Sequence, residues 1–247
     1  STIGAERLDF RVRNGIGYFP FAIITRQNTN TINDKYVKKK FLEGINKHTQ
    51  KIYVLHNGVE RKLKEDDLMI CDGENKPMCI AGVFGGENSG VTEETKTIFL
   101  ESAFFNPSDI RKSSLNHGLK TDASYRFERG IDPNITVFAL KFASVLINKY
   151  CEGDIISDIY DVYPNKIENR KIEIDYDRIN SLIGQDIDTK RINEILTLLD
   201  IKVEEKKNKV LADVPPYRVD VTREADIIEE ILRVYGYNNI KTSSKNQ

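Results

Sequence analysis

The sequence predicts an α+β protein, a mixed β-sheet domain followed by a small winged-helix-like α+β module, and three observations carry this. The first half strings short β-rich runs between Gly-rich turns. The last third shows helical periodicity interrupted by one hairpin. Between them, around Val162-Tyr163-Pro164-Asn165, the apolar pattern lapses. At roughly 150 residues per domain, 247 residues make one large domain and one small one. The expected bounds are 1–163, with residues 1–35 atypical, then 164–240, then a polar tail at 241–247.

Composition narrows the class. With 39% hydrophobic and 30% charged residues, the chain is that of a folded globular protein. Lys and Arg total 37 against 38 Asp and Glu, for a net charge of -1. This excludes a uniformly basic nucleic-acid binder, so any RNA contact is expected to be local. The apolar stretches Ile98 to Leu100 and Val137 to Leu140 fall far short of the ~20 residues of a membrane-spanning helix. The N-terminal STIGAERLDFRV has no export pattern. Cys71, Cys79 and Cys151 fit neither a disulfide framework nor a paired zinc motif. A cytoplasmic protein with reduced thiols and no membrane segment is expected.

Residues 1 to about 35 begin strand-like and become a polar Asn/Thr tract without a period. KIYVLHNGVERKL then places two β-rich runs around Asn57-Gly58, a strong hairpin signal. A strand follows at Asp67 to Cys71, and an apolar run from Pro77 to Val83 ends in Gly85-Gly86. Thr97 to Phe105 reads as a strand, with Phe99, Glu101 and Ala103 on one face. Asp132-Pro133 reads as a helix start. The helix is expected to reach about Tyr150 with apolar residues around its axis, and so to be buried on most sides.

In the second module, Asp177 to Ile183 is predicted helical and is stopped by Gly184. Asp188 caps a second helix, in which Ile192, Ile195, Leu196 and Leu199 recur at helical spacing. Ile201 to Glu205 and Val210 to Val214 flank KKNK as a hairpin, and a third helix runs from about Arg223 to Tyr235, ending at Gly236.

Two constellations could carry chemistry. The Gly-rich turn in IAGVFGGENSG matches neither a P-loop nor a dinucleotide fingerprint. Glu101 interrupts an apolar run, so its carboxylate must be paired, for instance with Arg126 or Arg129, or line a polar pocket. His117 lies near Asp122 without an evident nucleophile, which argues against a hydrolase triad. Thr121 and Asp122 could equally cap a helix. The second constellation is DVTREADIIEE. Positions i, i+3 and i+4 share a helix side, so Asp226, Glu229 and Glu230 can converge, with Asp220 at the incoming turn. Such a set suits a hard cation such as Mg2+ or a solvated acidic face.

Two long segments carry a resemblance. IAGVFGGENSGVTEETKTIFLESAFFNPSDIRKSS, continuing through HGLKTDASYRFERGIDP, resembles the B3/B4 domain of bacterial phenylalanyl-tRNA synthetase β subunits. VPPYRVDVTREADIIEEILRVYGYNNI is similar to the end of the same subunits' B5 domain. The resemblance covers about residues 36 to 240 in the same order, and the chain is therefore expected to be a fragment of such a subunit. The family's upstream N-x-x-V-D and Q-P-L-H-A-F-D segments have no counterpart in residues 1–35, where positions 25–30 read TRQNTN.

The resemblance implies an editing domain that hydrolyses tyrosine from mischarged Tyr-tRNA(Phe). By motif, Gly85 with Gly86, Glu101, Thr121 and Ala123 match the editing pocket, and Asp220, Asp226, Glu229 and Glu230 match carboxylates for a Mg2+ shared with the α subunit. It further implies an α2β2 heterotetramer that charges tRNA(Phe) with phenylalanine using ATP, with the synthetic active site on the α subunit. No catalytic nucleophile or base is assigned in this chain. The alternative is a non-catalytic scaffold that binds the α subunit and tRNA. A winged-helix DNA binder would need a basic recognition helix, whereas the third helix is acidic.

Overall fold

A computed structural model describes residues 21–25, 52–54, 57–64, 67–71, 77–163 and 165–240. The chain divides between Lys166 and Ile167 into two compact units, each with its own hydrophobic core, and the class is α+β in both. The expectations for residues 1–20, 26–51 and 241–247 lie outside the described residues.

Among the described residues of the first unit, the strands form three small antiparallel sheets. Strand β1 (Phe21–Thr25) pairs along its whole length with β7 (Thr97–Glu101), from Phe21↔Glu101 to Thr25↔Thr97, and on its other edge with β8 (Asp154–Ile155). The Asn57-Gly58 hairpin forms as expected, with β2 (Ile52–Val54) against β3 (Glu60–Lys62) and Gly58 at φ +76°. A third sheet runs β4 (Met69–Cys71), β5 (Pro77–Ile80), β6 (Phe84–Gly85). It is closed by a turn in which Gly82 adopts φ +66°. A Cβ at Gly82 would stand 2.9 Å from both Ile110 Cδ1 and Phe105 Cδ2, so glycine is needed there for space as well as for backbone conformation.

Helix α1 (Pro107–His117) starts on an Asn106 side-chain cap with Pro107 at its first position, and stops at Gly118 in the left-handed conformation. It is followed by the short helix α2 (Asp122–Phe127). Ile110 of α1 is fully buried with Leu63, Ile70, Ile80 and Phe105, and Phe127 of α2 meets the Phe105 ring edge-on at 4.9 Å.

Asp132 does cap a helical segment, accepting from Asn134 N, but a single 3-10 turn at Pro133–Ile135 precedes α3 (Thr136–Cys151). The expectation that this helix is buried on most sides is not met. It lies against β1, β7 and β8 along one narrow face, where only Thr136, Leu140 and Ser144 are buried. Phe138, Phe142, Val145 and Tyr150 are exposed, and the two Phe rings stack on each other at 6.1 Å. A helix laid on one sheet buries a stripe at i, i+4, i+8 and no more, whatever the apolar content of its other faces.

The second unit begins with a strand that the sequence reading missed, β9 (Arg170–Asp175), whose Ile172 and Ile174 point into the core. Helix α4 (Tyr176–Ile183) ends at Gly184 (φ +80°), and α5 (Thr189–Leu198) starts on the Asp188 cap. Strands β10 (Lys202–Lys206) and β11 (Lys209–Val214) form the hairpin, and β9 joins β11 on its free edge in the order β10-β11-β9. Helix α6 (Glu224–Tyr235) closes the unit, with Ile227, Ile228 and Ile231 buried against this sheet and the other helices. Among the described residues no helix is long and apolar enough to cross a membrane.

Candidate functional site

The first constellation is assembled by short-range geometry around the β5–β6 turn. Cys79 of β5 faces Gly85 of β6. Gly86 N donates to Met78 O at 2.8 Å, and the Ser89 hydroxyl also reaches Met78 O at 2.6 Å, so the Gly-Gly segment is held from behind. Gly85 is exposed, and a Cβ there would meet nothing within 4 Å. Its glycine leaves open space in front of the turn, unlike that of Gly82.

Thr121 joins this turn to α2. Its hydroxyl donates to Val83 O at 2.8 Å and accepts from Ser124 N at 3.0 Å. Ser124 Oγ in return accepts from Thr121 N at 2.9 Å, completing a capping box. The capping reading of TDAS therefore holds, with the same atom also tying the helix to the turn two residues before Gly85. Ala123, half-buried, sits in the first turn of α2.

Glu101 ends β7 and is partly buried. Loss of solvent pushes its carboxyl up to about 7. Burial raises the Cys79 thiol far above its ordinary value, and the neighbouring Glu101 charge adds to the effect. Glu101 thus lies within electrostatic reach of the residue that faces Gly85. The salt bridge considered for it does not form with either arginine considered: Arg126 donates to Asp122 O, and Arg129 engages Tyr125 O and Glu128. Direct bonds thus join the Gly85-Gly86 segment to β5 and Thr121 to Val83, while Glu101 is connected to this region only by its electrostatic influence on Cys79. Cys79, Val83 and Gly82 were missed, because strand pairing across a turn leaves no mark on residue type.

His117 has a structural setting. Its Nε2 lies 2.7 Å from Asp67 Oδ2, with side chains 4% and 0% exposed. Ser113 donates its hydroxyl to Asp67 Oδ1 at 2.9 Å. With serine and histidine both bound to the carboxylate and not to each other, this is not the relay of a hydrolytic triad.

The second constellation does not converge. Asp226 is in the first turn of α6, and its Oδ2 accepts from Thr222 N, Thr222 Oγ1 and Arg223 N at 2.9–3.0 Å. These bonds, led by that from the Thr222 backbone, hold its carboxyl down at about 2. Glu230 is buried between two arginines, Arg233 Nη1 at 2.6 Å and Arg218 Nη1 at 3.2 Å. Arg218 also donates to Leu199 O at 3.0 Å, at the end of α5. Asp220 and Glu229 are exposed. Among the described residues no group of three or more His, Cys, Asp or Glu side chains is placed to hold a metal. The expected four-carboxylate Mg2+ set therefore does not fit this arrangement, since Arg223 Nε stands 3.2 Å from Asp226 Oδ1 and two arginines already hold Glu230.

Comparison with known proteins follows the same division. Residues 33–152 match the B3/4 domain family, and residues 172–237 match the tRNA synthetase B5 domain. The matched domains, one of them named for tRNA synthetases, are domains of aminoacyl-tRNA synthetase subunits. The phenylalanine–tRNA ligase β subunit of Bacteroides fragilis is 51% identical over 193 residues, 78% of this chain and 23% of that protein. The β subunit of Porphyromonas gingivalis is 45% identical over 207 residues, 81% of this chain and 25% of that protein. The chain belongs to the phenylalanine–tRNA ligase β-subunit family, and it spans about a quarter of the length of the relatives it matches. Among solved structures, an N-terminal fragment of the phenylalanyl-tRNA synthetase β subunit from Pyrococcus horikoshii aligns at a TM-score of 0.45 and 15% identity, over 90% of this chain and 71% of that one.

Proposed function

We propose that this segment edits mischarged Tyr-tRNA(Phe) within a cytoplasmic α2β2 phenylalanine–tRNA ligase, and that its second unit contributes to docking on the α subunit. Charging of tRNA(Phe), with ATP and Mg2+ as its reagents, belongs on this reading to the α subunit's active site. The chain's own part is selection and hydrolysis of the wrong aminoacyl ester.

The observation that carries the reading is Glu101, a desolvated carboxyl within electrostatic reach of Cys79, the strand partner of Gly85, whose turn has open space before it. Tyrosine and phenylalanine differ by one hydroxyl. A site built to hydrogen-bond that hydroxyl can reject the analogue lacking it by about 10⁴–10⁵, far beyond what a merely tolerant apolar pocket achieves. Glu101 would accept the phenolic O–H, and phenylalanine would leave a desolvated carboxyl unpaired, at a cost of about 1–3 kcal/mol or more. Gly85 and Gly86 would leave room for the ring, with Thr121 and Ala123 forming the opposite wall. Water activation is assigned to the tRNA terminus or to a backbone-held water.

The test is deacylation of Tyr-tRNA(Phe) and Phe-tRNA(Phe) by the assembled enzyme carrying Glu101→Ala. Loss of the tyrosine preference is expected. An unchanged preference would sink the role of Glu101 and favour the scaffold alternative.

A further inference from the structure

We infer that the buried Asp67–His117 pair is a positioning device for the editing pocket, holding the Gly-Gly turn and the Thr121 wall at a fixed separation. The inference rests on the reading of the pocket given above and names residues that reading does not use.

The bond sits where two branches of the chain diverge. Asp67 lies two residues before β4; Leu68 O accepts from Ala81 N at 2.9 Å, β4 pairs with β5, and β5 pairs with β6, which carries Gly85. His117 is the last residue of α1, and the path from it to Thr121 is only four residues long. That path is rigid: Gly118 turns it, Leu119 N donates to Ser114 O at 2.9 Å, and Ser114 Oγ donates to Leu119 O at 2.6 Å. Thr121 Oγ1 to Val83 O then closes a ring. Following the ring from Asp67 through β4, β5, the turn, Thr121 and the end of α1 returns to His117. One proposed wall of the pocket hangs on each side of the Asp67–His117 joint.

The joint is built for geometry. Asp67 is buried and accepts three bonds, from Lys64 N at 2.6 Å, Ser113 Oγ at 2.9 Å and His117 Nε2 at 2.7 Å. A buried polar network of this kind adds little net stability compared with apolar packing, but its directional bonds fix one arrangement. Displacement of a positioning group by about 1 Å can cost roughly 10²-fold in rate.

Two measurements test this. In the assembled enzyme, Asp67→Ala and His117→Ala should each lower the ratio of Tyr-tRNA(Phe) to Phe-tRNA(Phe) hydrolysis by about 10–100-fold. Asp67→Asn should retain it, because the amide can still accept from Lys64 N and His117 while donating to the Ser113 hydroxyl. Ser144→Ala, which removes a buried hydroxyl of α3 bonded to Leu140 O, is the control for general loosening and should leave the ratio intact. In the 247-residue chain, native-state hydrogen exchange at Gly86 N–H and Ser124 N–H, one on each wall, should accelerate together in both alanine variants. If those variants do not fold, Ser113→Ala removes one donor of three and should shift both readouts in the same direction by about threefold. An unchanged ratio in folded variants, an equal loss in the Ser144→Ala control, or acceleration of one amide without the other would overturn the inference. Absence of tyrosine preference in the unsubstituted enzyme would sink the pocket reading itself, and the exchange data would still decide whether the two walls are tied.

Discussion

Replacing Glu101 by glutamine should change how the stability of this chain depends on pH. In the unfolded chain a glutamate loses its proton near 4.5, whereas in the folded protein burial delays the loss to about 7. Between those values the folded state binds more protons than the unfolded state, so the contribution of this group to stability declines as pH rises through the window and is level outside it. At about 1.4 kcal/mol for each tenfold change in proton affinity, the full difference is roughly 3 kcal/mol. Because Glu101 is only partly buried, solvent screening reduces the expected effect to about 1–3 kcal/mol. Glutamine mimics the protonated form at every pH. Glu101→Gln should therefore match the unsubstituted chain closely at pH 4, below the window, and exceed it by about 1–3 kcal/mol at pH 8, read from urea midpoints at equal slope. A stability difference identical at the two pH values would refute the argument that burial raises this carboxyl.

Gly82→Ala should destabilise by about 2–4 kcal/mol, since it combines a left-handed backbone with a clash against Ile110 and Phe105. Gly85→Ala should lie within about 0.5 kcal/mol of the parent, and chemical denaturation of the pair checks the contrast. Ala123→Trp should leave the fold standing while lowering Tyr-tRNA(Phe) hydrolysis about tenfold or more by filling the pocket; persistent hydrolysis in a folded variant would remove Ala123 from the site. Arg218→Met should cost about 3 kcal/mol, because Glu230 keeps only one of its two partners and Leu199 O loses its donor. Calorimetry of the 247-residue chain with Mg2+ should give no stoichiometric heat, and Asp226→Ala with Glu230→Ala should lower the melting temperature; tight binding, or a higher melting temperature, would contradict the neutralised arrangement.

Elements whose cause is local were legible in the sequence. Asn57-Gly58 specifies its own hairpin, Gly184 and Gly236 stop their helices, and Asp188 caps one, because in each case the deciding contact lies within a few residues. Strand β9 was missed although Lys171-Ile172-Glu173-Ile174 alternates strictly, because a strand that short next to a domain boundary is easily taken for linker. The burial of α3 was overestimated because composition counts apolar residues without saying which face meets a sheet. At the sites, Glu101 stood out as a carboxylate within an apolar run, and Thr121 as a cap. Helical spacing put Asp226 and Glu230 on one side of α6 but could not reveal that Arg218 arrives from the preceding turn to occupy Glu230. That Gly82, unlike Gly85, has no room for a side chain was equally hidden, because Phe105 and Ile110, which fill that space, lie more than twenty residues from it.

The hydroxyl of Thr121 starts a helix and anchors the Val83 carbonyl with a single oxygen atom. Two features that separate residues could supply independently are therefore inherited through one position. Serine can keep both bonds; valine, although closest in shape, forfeits both at once. A mutational scan should accordingly find this site almost binary, tolerant of a second hydroxyl amino acid and of little else, with no graded series between the two.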